Sequence, residues 1–268
     1  SIAAARIPSI TIGGSLIAGV DSGANGNLIE CGSIQAGAIG ALTIKGNVVG
    51  SATAFGSNPA LISASGLAST PGPANDAFGK ISFGGRVEQA RILAGYSGTT
   101  PLNGNAQIGA VAVKGDWIAS SLVAGIHDTG ADGFGNADDT VISPPDGVFA
   151  RIASVRIKGA ITGSGAAGDH FGFTAEQIGA FRYGAIKVAL TEATDAPVLL
   201  AAVSGDVVLR EIYCGRWRRS PCPTLRARKP SQATQTVTEP ESDPVENLGV
   251  SPDHTTDWGA SLRKFAPY

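Results

Sequence analysis

The stretch IGAVAVKGDW, residues 108–117, carries the pattern that decides the fold. Counted from Ile108 as position 0, apolar residues stand at positions 3 and 5, glycine at position 7 and an apolar residue at position 9. Side chains two positions apart point to the same face of a strand, so positions 3 and 5 predict a strand with one buried face. Glycine at position 7 predicts a corner with a positive φ, where a side chain would clash, followed by a second strand.

The pattern occurs six times in the chain. The other copies are IPSITIGGSL (7–16), IGALTIKGNV (39–48), FGKISFGGRV (78–87), IASVRIKGAI (152–161) and IGAFRYGAIK (178–187). All six are apolar at positions 3 and 5, and the first five have glycine at position 7, whereas the sixth has Gly184 one position early. The repeat predicts stacked parallel strands with the variable material as external loops, a parallel β-helix or β-solenoid. An ordinary β-sandwich is the alternative, and it is disfavoured because sandwich strands rarely share a glycine corner at one fixed offset.

Composition supports an all-β fold. The 268 residues include 37 Gly and 15 Pro, a load that helices could not carry, and only 6% are aromatic, so the core must come from Ile, Val, Leu and Ala. Apolar pairs that follow several copies predict a third side of each coil. These pairs are Leu28 and Ile29, Leu61 and Ile62, Ile92 and Leu93, Val141 and Ile142, and Phe171 and Phe173.

Charge, hydropathy and cysteine spacing exclude several function classes. The net charge is -2 and no basic stripe interleaved with aromatics occurs, so no nucleic-acid partner is expected. No run of about 18 apolar residues occurs, so no membrane span is expected. Cys31, Cys214 and Cys222 have no metal-ligand spacing. Cys214 and Cys222 either pair in an oxidising compartment or remain unpaired thiols.

The composition changes at residue 214, which divides the chain into a repeat domain, residues 1–213, and a Pro-rich tail, residues 214–268. The tail holds 7 of the 15 Pro but only 3 of the 37 Gly, and no copy of the repeat. Its few apolar residues predict a disordered tail. A linker toward a further domain and a product of an altered reading frame are the alternatives.

The aspartate loop, residues 127–140 (HDTGADGFGNADDT), is the candidate metal site. Its carboxylate and amide side chains are Asp128, Asp132, Asn136, Asp138 and Asp139. Oxygen ligands in a flexible, Gly-rich loop are typical of a Ca²⁺ site, although the spacing is not that of an EF-hand. Calcium is the only cofactor that the sequence suggests. A plain solvated turn is the alternative, because Asp, Asn and Gly are also preferred in turns.

The sequence shows no catalytic constellation. The chain has three histidines, His127, His170 and His254, none of them paired at zinc spacing, and it has no Gly-x-Ser-x-Gly elbow. Asp169 and His170 are adjacent, and adjacent residues on a strand point to opposite faces, so they are not expected to form a dyad.

Several segments resemble the Gly-rich repeat regions of large secreted or surface proteins of environmental bacteria. They are RILAGY (91–96), NAQIGAVAVKGDWIASSLVAG (105–125), DGFGNADDTVI (132–142), GDHFGFTAEQIGAF (168–181) and GDVVLREI (205–212). The resemblance covers nearly all of residues 1–213. It implies export and a parallel β-helix-like fold, and any signal peptide would lie upstream of this sequence. It implies no enzyme activity and no catalytic residues.

The expected function is a structural or adhesive module of an exported bacterial surface protein, secreted or at the cell surface and stabilised by calcium. Carbohydrate and other surface proteins are the expected partners, and the oligomeric state is left open. The alternative is a carbohydrate-active β-helix enzyme, a polysaccharide lyase or hydrolase, which needs converging carboxylates. The candidates would again be Asp128, Asp132, Asp138 and Asp139, which share one short loop.

Overall fold

The computed structural model describes residues 6–19, 31–53, 56–66, 76–142, 148–191 and 195–212. Within these ranges the chain forms strands and turns and no helix, which confirms the all-β class. No helix of the described part is therefore long and apolar enough to cross a membrane. The tail 214–268, with Cys214 and Cys222, and the pair Leu28 and Ile29 lie outside these ranges, so the division at residue 213 stays a prediction. Cys31 is a free thiol.

The strands are short and follow one another closely. In chain order they are β1 (Ile7–Ile12), β2 (Leu16–Ile17), β3 (Ser33–Ala36), β4 (Ile39–Ile44), β5 (Val48–Val49), β6 (Ser51–Thr53), β7 (Gly56–Asn58), β8 (Ala60–Ala64), β9 (Asp76–Phe83), β10 (Val87–Glu88), β11 (Ala90–Ala94), β12 (Tyr96–Ser97), β13 (Thr100–Pro101), β14 (Gln107–Val113), β15 (Trp117–Ile118), β16 (Ser121–Ala124), β17 (Ile126–His127), β18 (Thr140–Val141), β19 (Arg151–Ile157), β20 (Ile161–Thr162), β21 (Phe171–Ala175), β22 (Gln177–Ile178), β23 (Phe181–Tyr183), β24 (Ile186–Val188), β25 (Val198–Leu199) and β26 (Val207–Glu211).

Sheet 1 contains the first strand of each repeat copy, in the order β1-β4-β9-β14-β19-β23-β24, with β22 also beside β19. All its pairs are parallel except β23 with β24. Position 0 of the six copies forms one column of paired residues, Ile7, Ile39, Phe78, Ile108, Ile152 and Ile178. The alignment made from the sequence is therefore the hydrogen-bonding register of the sheet.

Sheet 2 contains the second strand of the first five copies, in the order β2-β5-β10-β15-β20. Each strand is two residues long, and all pairs are parallel. Position 9 forms its inward-facing column, Leu16, Val48, Val87, Trp117 and Ile161, of which Leu16 is half-buried and the others are buried. The prediction of a second strand after the corner is confirmed.

Sheet 3 has the order β25-β26-β21-β16-β11-β8-β3. Its inner column is Ile34, Ile62, Ile92, Leu122, Phe173 and Leu209. The prediction that Val141 and Ile142 belong to this side is wrong. Val141 pairs with Ile126 in the antiparallel pair β17 and β18, because this insertion folds back over the outside of the sheet. In its place β16 supplies Leu122 to the column.

The chain visits the three sheets in turn, for example through β9, β10 and β11 and then β14, β15 and β16. We call one such set of three strands a layer. The side chains that face inward from all three sheets form one apolar cluster. Trp117 is fully buried there, with its ring 4.8 Å from that of Phe173, and its Nε1 donates a hydrogen bond of 2.9 Å to the Ser120 carbonyl. The buried indole N–H is thus satisfied, as it must be away from water.

The glycines at position 7 serve close stacking and not a positive φ. Gly46, Gly85, Gly115 and Gly159 are absent from the glycines with positive φ, so that part of the prediction is wrong. A Cβ on Gly159 would lie 2.7 Å from the Gly115 carbonyl carbon of the layer before it, which confirms the expected clash. Layers separated by about 4.8 Å leave no room for a side chain that points along the stack. Positive φ is found instead after sheet 3, at Gly95 and Gly125.

The two edges of the stack differ. At one edge β24 runs antiparallel to β23 and β25 runs antiparallel to β26, so reversed strands end both large sheets. At the other edge, within the described residues, β1, β2 and β3 each pair on one side only.

Candidate metal centre

The aspartate loop leaves the stack after β16 and covers the outer face of sheet 3. Its ends are joined by the antiparallel pair β17 and β18. A second apolar cluster, which we call the outer cluster, lies beneath it and consists of Leu61, Leu93, Tyr96, Val123, Ile126, Phe134 and Ile142. The loop is thus attached to the sheet by packing, and its acidic side chains are carried on a fixed base.

Phe134 of the aspartate loop packs against Tyr96 of β12, and this contact attaches the loop to the sheet. Phe134 is 5% exposed, and its ring meets that of Tyr96 edge to face, with centroids 6.5 Å apart. The Tyr96 hydroxyl donates a hydrogen bond to the Ile126 carbonyl. Burial, followed by the charges of Asp139 and Asp128, raises the pKa of Tyr96, so the hydroxyl keeps its proton and remains a donor.

The loop also contacts the next layer. Gly133 forms a parallel bridge with His170, which directly precedes β21. Its φ is 113°, and a Cβ at this position would lie 2.1 Å from the His170 carbonyl oxygen. The chain therefore needs glycine at this crossing, which ties the loop to a strand that is about 40 residues later in the sequence.

Three of the five predicted ligands converge. One carboxylate oxygen from each of Asp128, Asp132 and Asp138 lies within 4.8 Å of the other two. Asp128 Oδ2 accepts a hydrogen bond of 2.9 Å from Gly133 N. Gly130 packs against the group, because a Cβ there would lie 1.9 Å from Asp138 Oδ2.

Asn136 and Asp139 have different surroundings. Asn136 Nδ2 donates a hydrogen bond of 2.6 Å to Asp132 Oδ1, which orients that carboxylate. Asp139 is 5% exposed and lies outside the convergent trio, with its Oδ2 accepting 2.6 Å from Gly135 N. Burial raises the pKa of Asp139 to about 7, against the hydrogen bond from Gly135.

Four oxygens of this loop are buried and accept no hydrogen bond from any residue that the structure describes. They are Asp128 Oδ1, Asn136 Oδ1, Asp138 Oδ1 and Asp139 Oδ1. A buried acceptor left without a partner costs about 1–3 kcal/mol, and more when it is charged. The loop therefore presents oxygen ligands that its own donors do not satisfy, as expected of a site for a hard cation.

A groove adjoins the loop at the corner between sheets 2 and 3. This corner groove is a cavity of about 410 Å³. Its polar and charged lining includes Ser57, Gln89, Arg91, Asp132, Asp169 and His170. His170 Nε2 lies 3.8 Å from Asp132 Oδ2, whereas Asp169 Oδ2 accepts a hydrogen bond of 2.7 Å from Ser164 Oγ. Asp169 and His170 thus bind different partners, although both line the groove.

Comparison with known proteins assigns no family to the chain. It matches no protein-family model, no curated protein and no solved structure. The resemblance of its segments to Gly-rich repeat regions therefore stays an interpretation of the sequence, and the function is inferred from the geometry of the loop and the groove.

The repeat pattern does not predict the corner groove. The three non-glycine residues with positive φ in the described part, Gln89 (48°), Ala119 (42°) and Ala131 (59°), all line it. Such residues cluster at functional sites, where the surrounding structure maintains the strain. Position 11 of the repeat gives no signal for this strain, because Gly50 and Gly163 occupy it in the flanking copies without a positive φ.

Proposed function

We propose that this chain is a β-solenoid module of an exported bacterial surface protein, in which a bound Ca²⁺ ion fixes the aspartate loop on the stack. Its role is structural or adhesive, at the cell surface or outside the cell. The in-register columns of the three sheets support the solenoid, and the sequence resemblance supports export.

The observation that carries the calcium assignment is the convergence of one carboxylate oxygen each from Asp128, Asp132 and Asp138, of which Asp128 and Asp138 also have a buried Oδ1 without a donor. Two unit charges 4 Å apart repel each other by about 1 kcal/mol in water and about 4 kcal/mol near a protein surface. A divalent cation removes this repulsion and supplies the missing partner of the oxygens. An all-oxygen set on an irregular loop suits Ca²⁺ better than Zn²⁺, which prefers nitrogen and sulfur, or Mg²⁺, which demands octahedral geometry.

Side-chain hydrogen bonds between layers support the proposed structural role, because they make the stack more rigid. Ser15 Oγ accepts a hydrogen bond of 2.9 Å from Asn47 N, and Asn47 Oδ1 accepts one of 3.0 Å from Arg86 N. Asp116 Oδ1 repeats the arrangement with Ala160 N at 2.8 Å. Each of these side chains binds the equivalent backbone position of the next layer. At the corner beside sheet 2, side-chain hydrogen bonds thus join three of the four successive pairs of layers, in addition to the three ladders.

The test is isothermal calorimetry of the full chain with CaCl₂, with thermal melts in EDTA and in calcium. The proposal predicts saturable heat and a higher melting temperature in calcium, both lost in an Asp132→Asn, Asp138→Asn double variant. Asp76→Asn, a carboxylate on β9 outside the loop, is the matched control and should behave as the parent. Absence of heat and of a melting shift in the parent would contradict the calcium site.

A polysaccharide lyase or hydrolase is the second candidate, because Asp132 and Asp169 line the same groove. Hydrolysis of a glycosidic bond requires two carboxyl groups on either side of that bond. Release of reducing ends or unsaturated sugars from a polysaccharide panel, lost in Asp169→Asn, would favour the enzyme and overturn the purely structural role.

A further inference from the structure

We propose that the corner groove binds an acidic saccharide chain, and that Arg91 recognises the carboxylate of its uronate units. The proposal rests on the proposed calcium site in one respect, since the cation would neutralise Asp132 in the groove wall.

The groove runs across several layers. Its lining comes from Ser57 on β7 and Pro59 after that strand, from Gln89 to Arg91, from Ala119 and Ser121, and from residues 168–171. Residues 131–134 of the aspartate loop form one wall. At about 4.8 Å per layer, four successive layers give a length of roughly 15 Å. An elongated ligand that lies along the stack fits this shape better than a compact one, and about 410 Å³ is within the usual range of ligand clefts.

Arg91 is the one guanidinium or ammonium group among the described lining residues of the groove, which also include the carboxylates of Asp132 and Asp169. It lies on β11 with an exposed side chain, and among the described residues it forms no ion pair. It lines both the corner groove and a smaller cavity, whose lining also includes Asp128 and Tyr96. A guanidinium presents a planar set of donors that matches a carboxylate, so an anionic oxygen group is the ligand that would satisfy it.

The rest of the lining suits a sugar. Ser57, Gln89 and His170 offer hydrogen-bonding groups of the kind that sugar hydroxyls use, and Phe171 is a half-buried ring beside them. The floor is otherwise formed of small residues, among them Ala90 and Ala119, which leave space for a flat ring.

A peptide is a poorer fit. Peptides that add to a sheet need free backbone donors. Here the backbone N–H groups of the floor are already used between layers: Gln89 N donates to the Ile118 carbonyl at 3.0 Å, Ala90 N to Ser120 Oγ at 2.9 Å, and Ala119 N to the Thr162 carbonyl at 2.9 Å. Side chains must therefore make the contacts with the ligand. This favours a saccharide, whose hydroxyl groups bind polar side chains, over a peptide strand.

The experiment is calorimetric titration of the full chain, in calcium, with oligogalacturonate and with its fully methyl-esterified form. We expect saturable binding of the acid and at least 10-fold weaker binding of the ester, since the ester removes the charge and keeps the ring. Arg91→Gln should weaken binding of the acid by roughly 10-fold or more, and Arg91→Lys, which keeps the charge without the planar fork, by less. Arg156→Gln, on the outer face of β19, is the matched control and should bind as the parent.

Each failure has its own signature. If calcium binds and oligogalacturonate does not, the groove proposal is wrong and the calcium site stands. If Arg91→Gln binds as tightly as the parent while its melt is unchanged, or if the ester binds as well as the acid, recognition by Arg91 is wrong. If calcium gives no heat but the acid still binds in an Arg91-dependent way, the groove proposal stands and the calcium site falls.

Discussion

Gly115 lies directly against Arg86 of the preceding layer, so that a Cβ on Gly115 would lie 2.6 Å from the Arg86 amide nitrogen. The next nearest atoms are also backbone, the Gly85 carbonyl carbon at 2.7 Å and Arg86 Cα at 2.9 Å. Backbone cannot rotate away as a side chain can, so this contact sets the spacing of two layers.

Gly115→Ala should therefore lower the free energy of unfolding by about 1–3 kcal/mol, the usual cost of overpacking. Gly14→Ala tests the same repeat position in the first copy, where nothing lies within 4 Å of an added methyl group, and should change stability by less than about 0.5 kcal/mol. Urea unfolding of both variants measures the difference. Equal effects at the two positions would show that close stacking is not the reason for the glycine.

Gly85 differs from Gly115 because the atom nearest to an added Cβ belongs to a side chain and not to the backbone. A Cβ on Gly85 would lie 2.0 Å from Asn47 Oδ1, with the nearest backbone atom, the Gly46 carbonyl carbon, at 3.1 Å. Gly85→Ala should thus be destabilising in the parent and markedly less so when Asn47→Ala is also present. A double-mutant cycle by urea unfolding should give a favourable coupling of about 1 kcal/mol between the two changes. If the effects of the two substitutions on the free energy of unfolding are additive, the methyl group added at residue 85 does not clash with Asn47.

The residue columns of sheets 1 and 2 could be predicted from the sequence because each repeat copy combines the two-residue period of a strand with a glycine corner at a fixed position. It failed for Val141 and Ile142 because an apolar pair looks the same whether it faces the inner core or packs on the outside. The three convergent aspartates could be found because they lie within one loop. The corner groove could not, because Ser57, Arg91 and His170 come from separate layers and share no spacing.

Asp139 should make stability depend on pH when calcium is absent. Burial raises its pKa to about 7 in the folded protein, whereas the unfolded carboxyl has its ordinary value of 3.8. Between these pH values the folded state binds more protons than the unfolded state, so stability falls as the pH rises from about 4 to about 7 and stays lower above it.

Urea unfolding in EDTA across this pH range, for the parent and for Asp139→Asn, measures that contribution. The variant should lack the decline due to this carboxyl, while the raised pKa of Glu211, which acts in the same direction, is common to both proteins. Parallel stability curves for parent and variant would contradict the assignment. Calcium should reduce the decline in the parent, because a nearby cation favours the ionised carboxylate.

Phe134 should govern calcium affinity without touching the ion. It belongs to the outer cluster that holds the aspartate loop on sheet 3, so Phe134→Leu should loosen the ligand group and weaken calcium binding several-fold. Phe83→Leu removes a comparable, fully buried ring from the inner core and should cost about 1 kcal/mol of stability with calcium affinity unchanged. Calorimetry at matched temperature compares the two. Equal calcium affinities in both variants would show that the loop keeps its geometry without the outer cluster.

The reversed strands β24 and β25 determine how such a protein can change in length. Ahead of them every layer presents the same parallel edge to the next, so a duplicated segment such as 78–107 would reproduce each column and displace everything beyond it by one step of about 4.8 Å. Beyond them the strand direction no longer matches the repeat. The length of the stack can therefore change by whole layers inserted among the parallel ones. The reversed strands β24 and β25 must remain at the end of the stack.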